Sequence, residues 1–199
     1  MRKNIVTKAF YPPGDFAIWI LIYVELITFA LLFIGYAFSR RLDVELFNAS
    51  QLAVDQTSGF INTFILITSS YFVVKAVKSI QNMSEETQKE SNAEASKWLR
   101  FTIACALAFL VIKVIEFTHI FGMGIHISTN TYFMFYIMLT VFHFLHVLLG
   151  CGILYIIYQK TKRNGYVPNN SEGIETGASY WHMVDLLWIV LFPLIYIIR

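Results

Sequence analysis

The sequence predicts an all-α polytopic membrane protein, a bundle of five transmembrane helices. Of its 199 residues 57% are apolar and 14% charged, and the mean hydropathy is +0.59, outside the range of water-soluble globular domains. Five apolar runs, at about 16–38, 59–78, 98–120, 131–158 and 178–198, have the length of roughly 20 residues that a helix needs to cross a hydrocarbon core of about 30 Å. The connections between them are too short for a soluble domain, so residues 1–199 are expected to form one transmembrane domain.

The elements follow in chain order. Met1 to Tyr11 is short and basic, and a full-length span follows it rather than a short apolar stretch with a small-residue cleavage site, so the N-terminus is expected to be retained. Pro12-Pro13-Gly14-Asp15 reads as a turn ending in an acidic N-cap, which starts the first span at Phe16. The second span carries Asn62, Thr63, Thr68, Ser69 and Ser70, polar groups able to hydrogen-bond across helices. Gln81 to Lys97, rich in Glu, Ser, Asn and Lys, reads as a solvated connection with the composition to extend a helix. In the fourth span Gly150 and Gly152 are expected to admit a neighbouring helix closely. Asn164 to Thr176, with Gly165, Pro168 and Gly173, is the remaining loop of any size. Trp98, Tyr132, Tyr158 and Trp181, near span ends, fit interfacial belts. No internal repeat is visible.

The net charge of +2 comes from scattered residues, and no run of Lys and Arg is dense enough for nucleic acid. Counted on alternate sides, Arg2, Lys3, Lys8, Lys75, Lys78, Lys89, Lys97, Arg100, Lys160, Lys162 and Arg163 face only Arg40, Arg41 and Arg199. The positive-inside rule then places the N-terminus in the cytoplasm and the C-terminus outside. Cys105 and Cys151 lie within apolar runs and suggest neither a disulfide framework nor a CxxC metal site.

An ionisable group at mid-bilayer costs about 2.5–3.5 kcal/mol on insertion scales, so each one needs protein or water as a neighbour. The candidate intramembrane proton or structural sites are Glu25, Lys113, Glu116, His143, His146, His182 and Asp185. Lys113, Glu116 and His119 stand at three-residue spacing and should share a face, with Lys113 and Glu116 neutralising each other. His182 and Asp185 most simply form an ion pair between Trp181 and Trp188. Glu25 has no partner on its own helix; it stays protonated, meets a His or Lys of another span, or exchanges protons with a hydrated cavity. His143, His146 and His182 are residue types able to ligate haem or a metal, but the sequence has no CxxCH attachment and no cluster of Cys, Asp and His around them. No catalytic, cofactor-binding or metal-binding residue is assigned.

At the C-terminus Tyr180-Trp181-His182-Met183-Val184-Asp185-Leu186-Leu187-Trp188, closing with Ile195-Tyr196, resembles the YWHFVDxxW…IY ending of the cytochrome c oxidase subunit III family. Phe142-His143-Phe144-Leu145-His146-Val147 with Gly150 resembles its FHxxHVxxG segment. Glu116-Phe117, Asn62-Thr63 with Ser69-Ser70, and Glu25 fall in the family's order, so the resemblance runs through all five spans. Two departures stand out. The long form of the family has seven helices, and this chain resembles the short form without the first two and the lipid-holding cleft they shape. Lys113 stands where the family usually has Gln.

The resemblance implies a non-catalytic accessory subunit, with no chemistry of its own and no cofactor bound directly, in a bacterial inner (plasma) membrane. Its implied partner is the catalytic subunit I of a haem–copper oxidase or of a nitric oxide reductase, which would hold the haem and the copper or non-haem iron. Membrane lipids, including a structural phospholipid, are the other expected partners. The PPGD start leans toward the nitric oxide reductase branch. A small proton-coupled transporter and a haem-binding electron carrier are the competing classes, because intramembrane Glu, Lys and His also build proton relays and axial ligands.

Overall fold

The structure, a computed structural model, describes residues 14–168 and 170–198. It is all-α, and among the described residues five helices are long and apolar enough to cross a membrane. They are α1 (Phe16–Leu42), α3 (Gln56–Gln81), α4 (Gln88–Gly122), α5 (Thr131–Lys162) and α6 (Glu172–Phe192), the last continued by a π-helical turn, Pro193–Ile197. A short helix that the hydropathy pattern does not announce, α2 (Val44–Gln51), links α1 to α3.

Four of these starts are fixed by an acidic or amide side chain that takes an orphan backbone N–H of the first turn. Asp15 accepts from Ala17 N at 3.1 Å, Asp43 from Leu46 N at 3.1 Å, Asp55 from Thr57 N at 2.9 Å and Asn130 from Phe133 N at 2.9 Å. The N-cap expected at Asp15 is therefore present, whereas Pro12, Pro13 and the N-terminus, for which retention was expected, lie outside the described residues.

Helices α3, α4, α5 and α6 pack in a ring, and α1 lies against α5 and α6. α1 runs parallel to α6: Asp15 N donates to Thr176 Oγ1 at one end, and Arg40 donates to the carbonyl of Ile198 at the other. α6 is the centre of the bundle. Trp181, Trp188, Leu191, Ile195 and Tyr196 are all fully enclosed, while α1 shows most of its length to the surroundings.

The structure corrects several sequence expectations. The segment from Gln81 to Lys97 does extend a helix, as its composition allows, most of it forming the first turns of α4, whereas the 164–176 loop is not simply solvated. Tyr166 is 1% exposed, its N–H and C=O both held by the Asn92 side chain and its ring under Lys160 at 4.2 Å. Tyr132 and Trp181 are not belt residues. Each is 0% exposed, with its polar tip bonded inside the bundle to Ile195 O and Ser69 Oγ respectively.

Of the two glycines, Gly150 fulfils the close-approach role, since a Cβ there would lie 2.8 Å from the Trp181 ring; at Gly152 nothing stands within 4 Å. Gly150→Ala should therefore lower the thermal midpoint of the detergent-purified chain, the overpacking costing about 1–3 kcal/mol. Gly152→Ala should leave the midpoint unchanged or raise it slightly, because Ala is the better helix former by about 0.5–1 kcal/mol. Asp55 supplies a pH test outside the spans. The Ser58 hydroxyl, then the backbone of Thr57 and Ser58, hold its carboxyl below its ordinary value of 3.8. A carboxyl lowered in the folded state contributes stability above its unfolded value and loses it as pH falls through the folded one. An acid titration of α3 unfolding should show this limb, and Asp55→Asn should flatten it.

Candidate functional site

The titratable side chains of the spans fall into three interhelical sets, each built by a different pair or trio of helices. The first joins α1 to α5. Glu25 Oε2 lies 3.0 Å from His146 Nε2, and His146 Nδ1 lies 2.8 Å from the carbonyl of Phe142, one turn back on its own helix. A carbonyl only accepts, so Nδ1 carries a hydrogen. Nε2 is then the nitrogen that faces the Glu25 carboxyl group. Of the three options open to Glu25, the structure realises the meeting with a histidine of another span. Phe29, fully buried, packs edge-on against His146 with centroids 5.5 Å apart.

The second set lies between α4, α5 and the C-terminal turn. Lys113 and Glu116 are 0% and 5% exposed, with Nζ 3.1 Å from Oε2. The other carboxylate oxygen, Oε1, accepts from the hydroxyls of Tyr136 and Tyr196, each at 2.6 Å, and Lys113 Nζ donates to the Tyr196 hydroxyl at 2.8 Å. Tyr196 therefore accepts from the lysine and donates to the glutamate, which closes a ring of directed bonds. Four rings, Phe117, Tyr136, Trp188 and Tyr196, stand 4.9–5.7 Å from the ammonium and supply the π faces that a desolvated cation favours. His119 is not part of this set. Two steps of three residues turn it about 120° away from Lys113, and it is exposed.

The ring depends on the break in α6 at Pro193. The π turn leaves carbonyls that lack helical partners, and polar side chains of other elements take them, as a membrane interior requires. Gln51 Nε2 donates to Ile195 O at 2.8 Å, Gln56 Nε2 to Tyr196 O at 2.6 Å and the Tyr132 hydroxyl to Ile195 O at 3.3 Å. These contacts from α2, α3 and α5 fix Tyr196 where it can reach Glu116.

The third set couples α3 to α6. The indoles of Trp181 and Trp188 donate to Ser69 Oγ at 2.8 Å and Thr63 Oγ1 at 3.0 Å, and His182 Nδ1 lies 2.7 Å from Ser70 Oγ. The polar run of the second span is thus the counterpart of the aromatic and histidine run of the fifth; Thr68, which bonds back to Phe64 O, stands apart. The expected His182–Asp185 ion pair is absent: three residues apart on one helix, His182 turns to α3. Neither carboxylate oxygen of Asp185 has a hydrogen-bond partner, nor do the side chains of Asn62 and His143. His143 lies between the rings of Phe109 and Trp188, with centroids 5.8 and 5.3 Å away. Among the described residues no three His, Cys, Asp or Glu side chains converge as a metal set, and Cys105 and Cys151 are free thiols.

Tyr136 and Tyr196 are the participants that sequence reasoning missed. A buried carboxylate opposite one lysine has acceptor capacity left over, so a tyrosine at matching depth on the facing span was the available signal.

Together these features define a polytopic membrane protein in which most of the intramembrane titratable groups meet one another or tyrosine and serine hydroxyls, with Asp185 and His143 as the exceptions. The sequence profile described as Cytochrome c oxidase subunit III matches residues 15–199. The chain is 34% identical over 139 residues to a cytochrome c oxidase subunit 3 of Synechocystis sp., covering 69% of this chain and 55% of that protein. It is 32% identical over 139 residues to one of Thermostichus vulcanus, covering 69% and 64%. A heme-copper oxidase subunit I+III of Aeropyrum pernix is 28% identical over 191 residues, 92% of this chain and 22% of that protein. The chain belongs to the cytochrome c oxidase subunit III family. It spans a little over half the length of the cytochrome c oxidase subunits it matches.

Lys113 and Glu116 should behave as a unit. Removing one partner of a buried pair strands the other and costs about 3–5 kcal/mol, so Lys113→Met should sharply lower the thermal midpoint of the purified chain. Glu116→Gln added to Lys113→Met should recover most of that loss, because an amide still takes the tyrosine hydrogen bonds. Equal destabilisation in the single and double variants would contradict the pairing.

Proposed function

We propose that the chain is a non-catalytic subunit of a haem–copper oxidase that packs beside the catalytic subunit I and supports its reduction of oxygen. The family match along nearly the whole chain carries the reading. The Aeropyrum pernix relative, whose name joins subunits I and III, supports the partnership. The haem and copper belong to the partner in this reading; His146 is engaged with Glu25 and Phe142 O and His182 with Ser70, and His143 lies between the rings of Phe109 and Trp188. The surroundings of the bundle are lipid and the partner's helices, and α1, with Ile20, Val24, Ile27, Leu31 and Ile34 exposed along one flank, is the element best placed to meet them. The matches named above are to oxidase subunits, and the comparisons favour neither the nitric oxide reductase branch nor a transporter.

The same reading sets the orientation in a bacterial inner membrane. Lys75, Lys78, Lys89, Lys97, Arg100, Lys160 and Lys162 gather at the end of the bundle where α3 and α5 finish, and Arg40 and Arg41 stand at the other. By the positive-inside rule that arrangement supports a cytoplasmic start of α1.

The tagged chain, isolated from native membranes in mild detergent, should bring a haem-containing multi-helix partner and its reduced-minus-oxidised bands. Glu25→Gln should leave the haem content of that complex intact while changing how long turnover is sustained. A colourless protein travelling alone, under conditions that keep the oxidase whole, would overturn the reading.

A further inference from the structure

A groove opens between the C-terminal end of α3 and the N-terminal end of α6, at the lysine-bearing end of the bundle. Its volume is about 210 Å³, room for several waters at roughly 10–15 Å³ each. Lys78, Gln81, Glu175, Ser179 and His182 supply its polar lining. At the mouth Gln81 Nε2 donates to Glu175 Oε1 at 2.8 Å, and Lys78 is exposed beside them.

Along α6 the residues Glu175, Ser179, His182 and Asp185 descend by three or four, so each step is about one helical turn deeper. His182 meets Ser70 of α3 at 2.7 Å, and Ser70 also stands beside Asp185. Asp185 is 4% exposed with both carboxylate oxygens unpartnered. A carboxyl group enclosed in a bundle with only the Ser70 hydroxyl as a polar neighbour is costly, and that hydroxyl bonds the histidine that lines a cavity open to the surface. Beyond Asp185 the path closes, because Val184, Leu187 and Trp188 are buried and the Trp188 indole is committed to Thr63.

We propose that this groove is a single-ended aqueous inlet, and that the Asp185 carboxyl is its proton-exchanging terminus, reached through His182 and Ser70. The other titratable groups on the helices around α6 have their own places. Glu25 of α1 pairs with His146 of α5, Lys113 pairs with Glu116 on α4, and His143 of α5 lies between two rings. That leaves His182 as the base on the path, with Lys78 and Glu175 as the charges at its mouth. The inlet is independent of which complex the chain joins.

Cysteine accessibility tests this. In the full chain with Cys105→Ala and Cys151→Ala, single changes Ser179→Cys, Ser70→Cys and Asp185→Cys are exposed in open membrane fragments to a charged methanethiosulfonate. Leu186→Cys, next to Asp185 and 51% exposed on the outer face of α6, is the control. A thiol reacts as its thiolate, which needs water, so the three inlet positions should label roughly tenfold or more faster than the control. Ser179→Trp, which plugs the groove, should slow labelling at Ser70→Cys to the control rate. Labelling of Ser70→Cys and Asp185→Cys no faster than the control would overturn the inlet. If Asp185→Cys does not accumulate, the near-isosteric Ser70→Cys decides alone. Reagent confined to one membrane face reports the orientation separately.

Discussion

A hydrocarbon interior has no water to hydrogen-bond with, so every polar group carried into it must find its partner inside the protein. That constraint explains more of this structure than apolar packing does, because lipid tails solvate Leu and Phe as well as another helix would. What holds particular helices in particular registers is the polar inventory: Glu25 against His146, Lys113 and Glu116 within a ring of hydroxyls, and the serines and threonine of α3 against the indoles and imidazole of α6. Apart from Lys113–Glu116, which lies within α4, these contacts bridge separate helices. Sliding one helix past another by a turn would strand several polar groups at once.

The C-terminal turn shows the same constraint acting on backbone. Pro193 ends regular α6 and the π turn frees carbonyls, yet Gln51, Gln56 and Tyr132 arrive from three other elements to take them. The short helix α2 has its structural reason here: it carries Gln51 inward and stacks Phe47 between Tyr36 and Tyr132. Order in this turn places the Tyr196 hydroxyl, and that hydroxyl ties Glu116 and Lys113 to α6. A lysine at position 113 is tolerated because a carboxylate, a hydroxyl and four aromatic faces surround it.

The five spans were legible because hydropathy over about twenty residues is a bulk property, insensitive to which neighbour each residue meets. The start at Asp15 was legible because capping is local. The extra turns of α4 were legible only as a composition able to extend a helix, and those of α6 and all of α2 were not legible. Their polar composition suits solvent, and only tertiary partners such as Tyr166 with Asn92 make them ordered structure. The candidate residues were drawn from the intramembrane polar set, and their pairing was partly misread. Three-residue spacing suggested Lys113, Glu116 and His119 as one stripe and His182 with Asp185 as a pair, whereas helix rotation removes His119 and the nearest acceptor for His182 is on α3. Tyr132 and Trp181 passed for belt residues because amphipathic aromatics serve equally at an interface and in a polar core.

The most direct test of this polar cross-bracing is a double-mutant cycle on Glu25 and His146, reading the thermal stability of the detergent-purified chain for Glu25→Gln, His146→Gln and both together. If the contact clasps α1 to the bundle, the double variant should lose less than the sum of the singles, with a coupling of about 0.5–3 kcal/mol. Additive losses would mean that the two side chains act separately, and that this contact does not clasp α1 to the bundle.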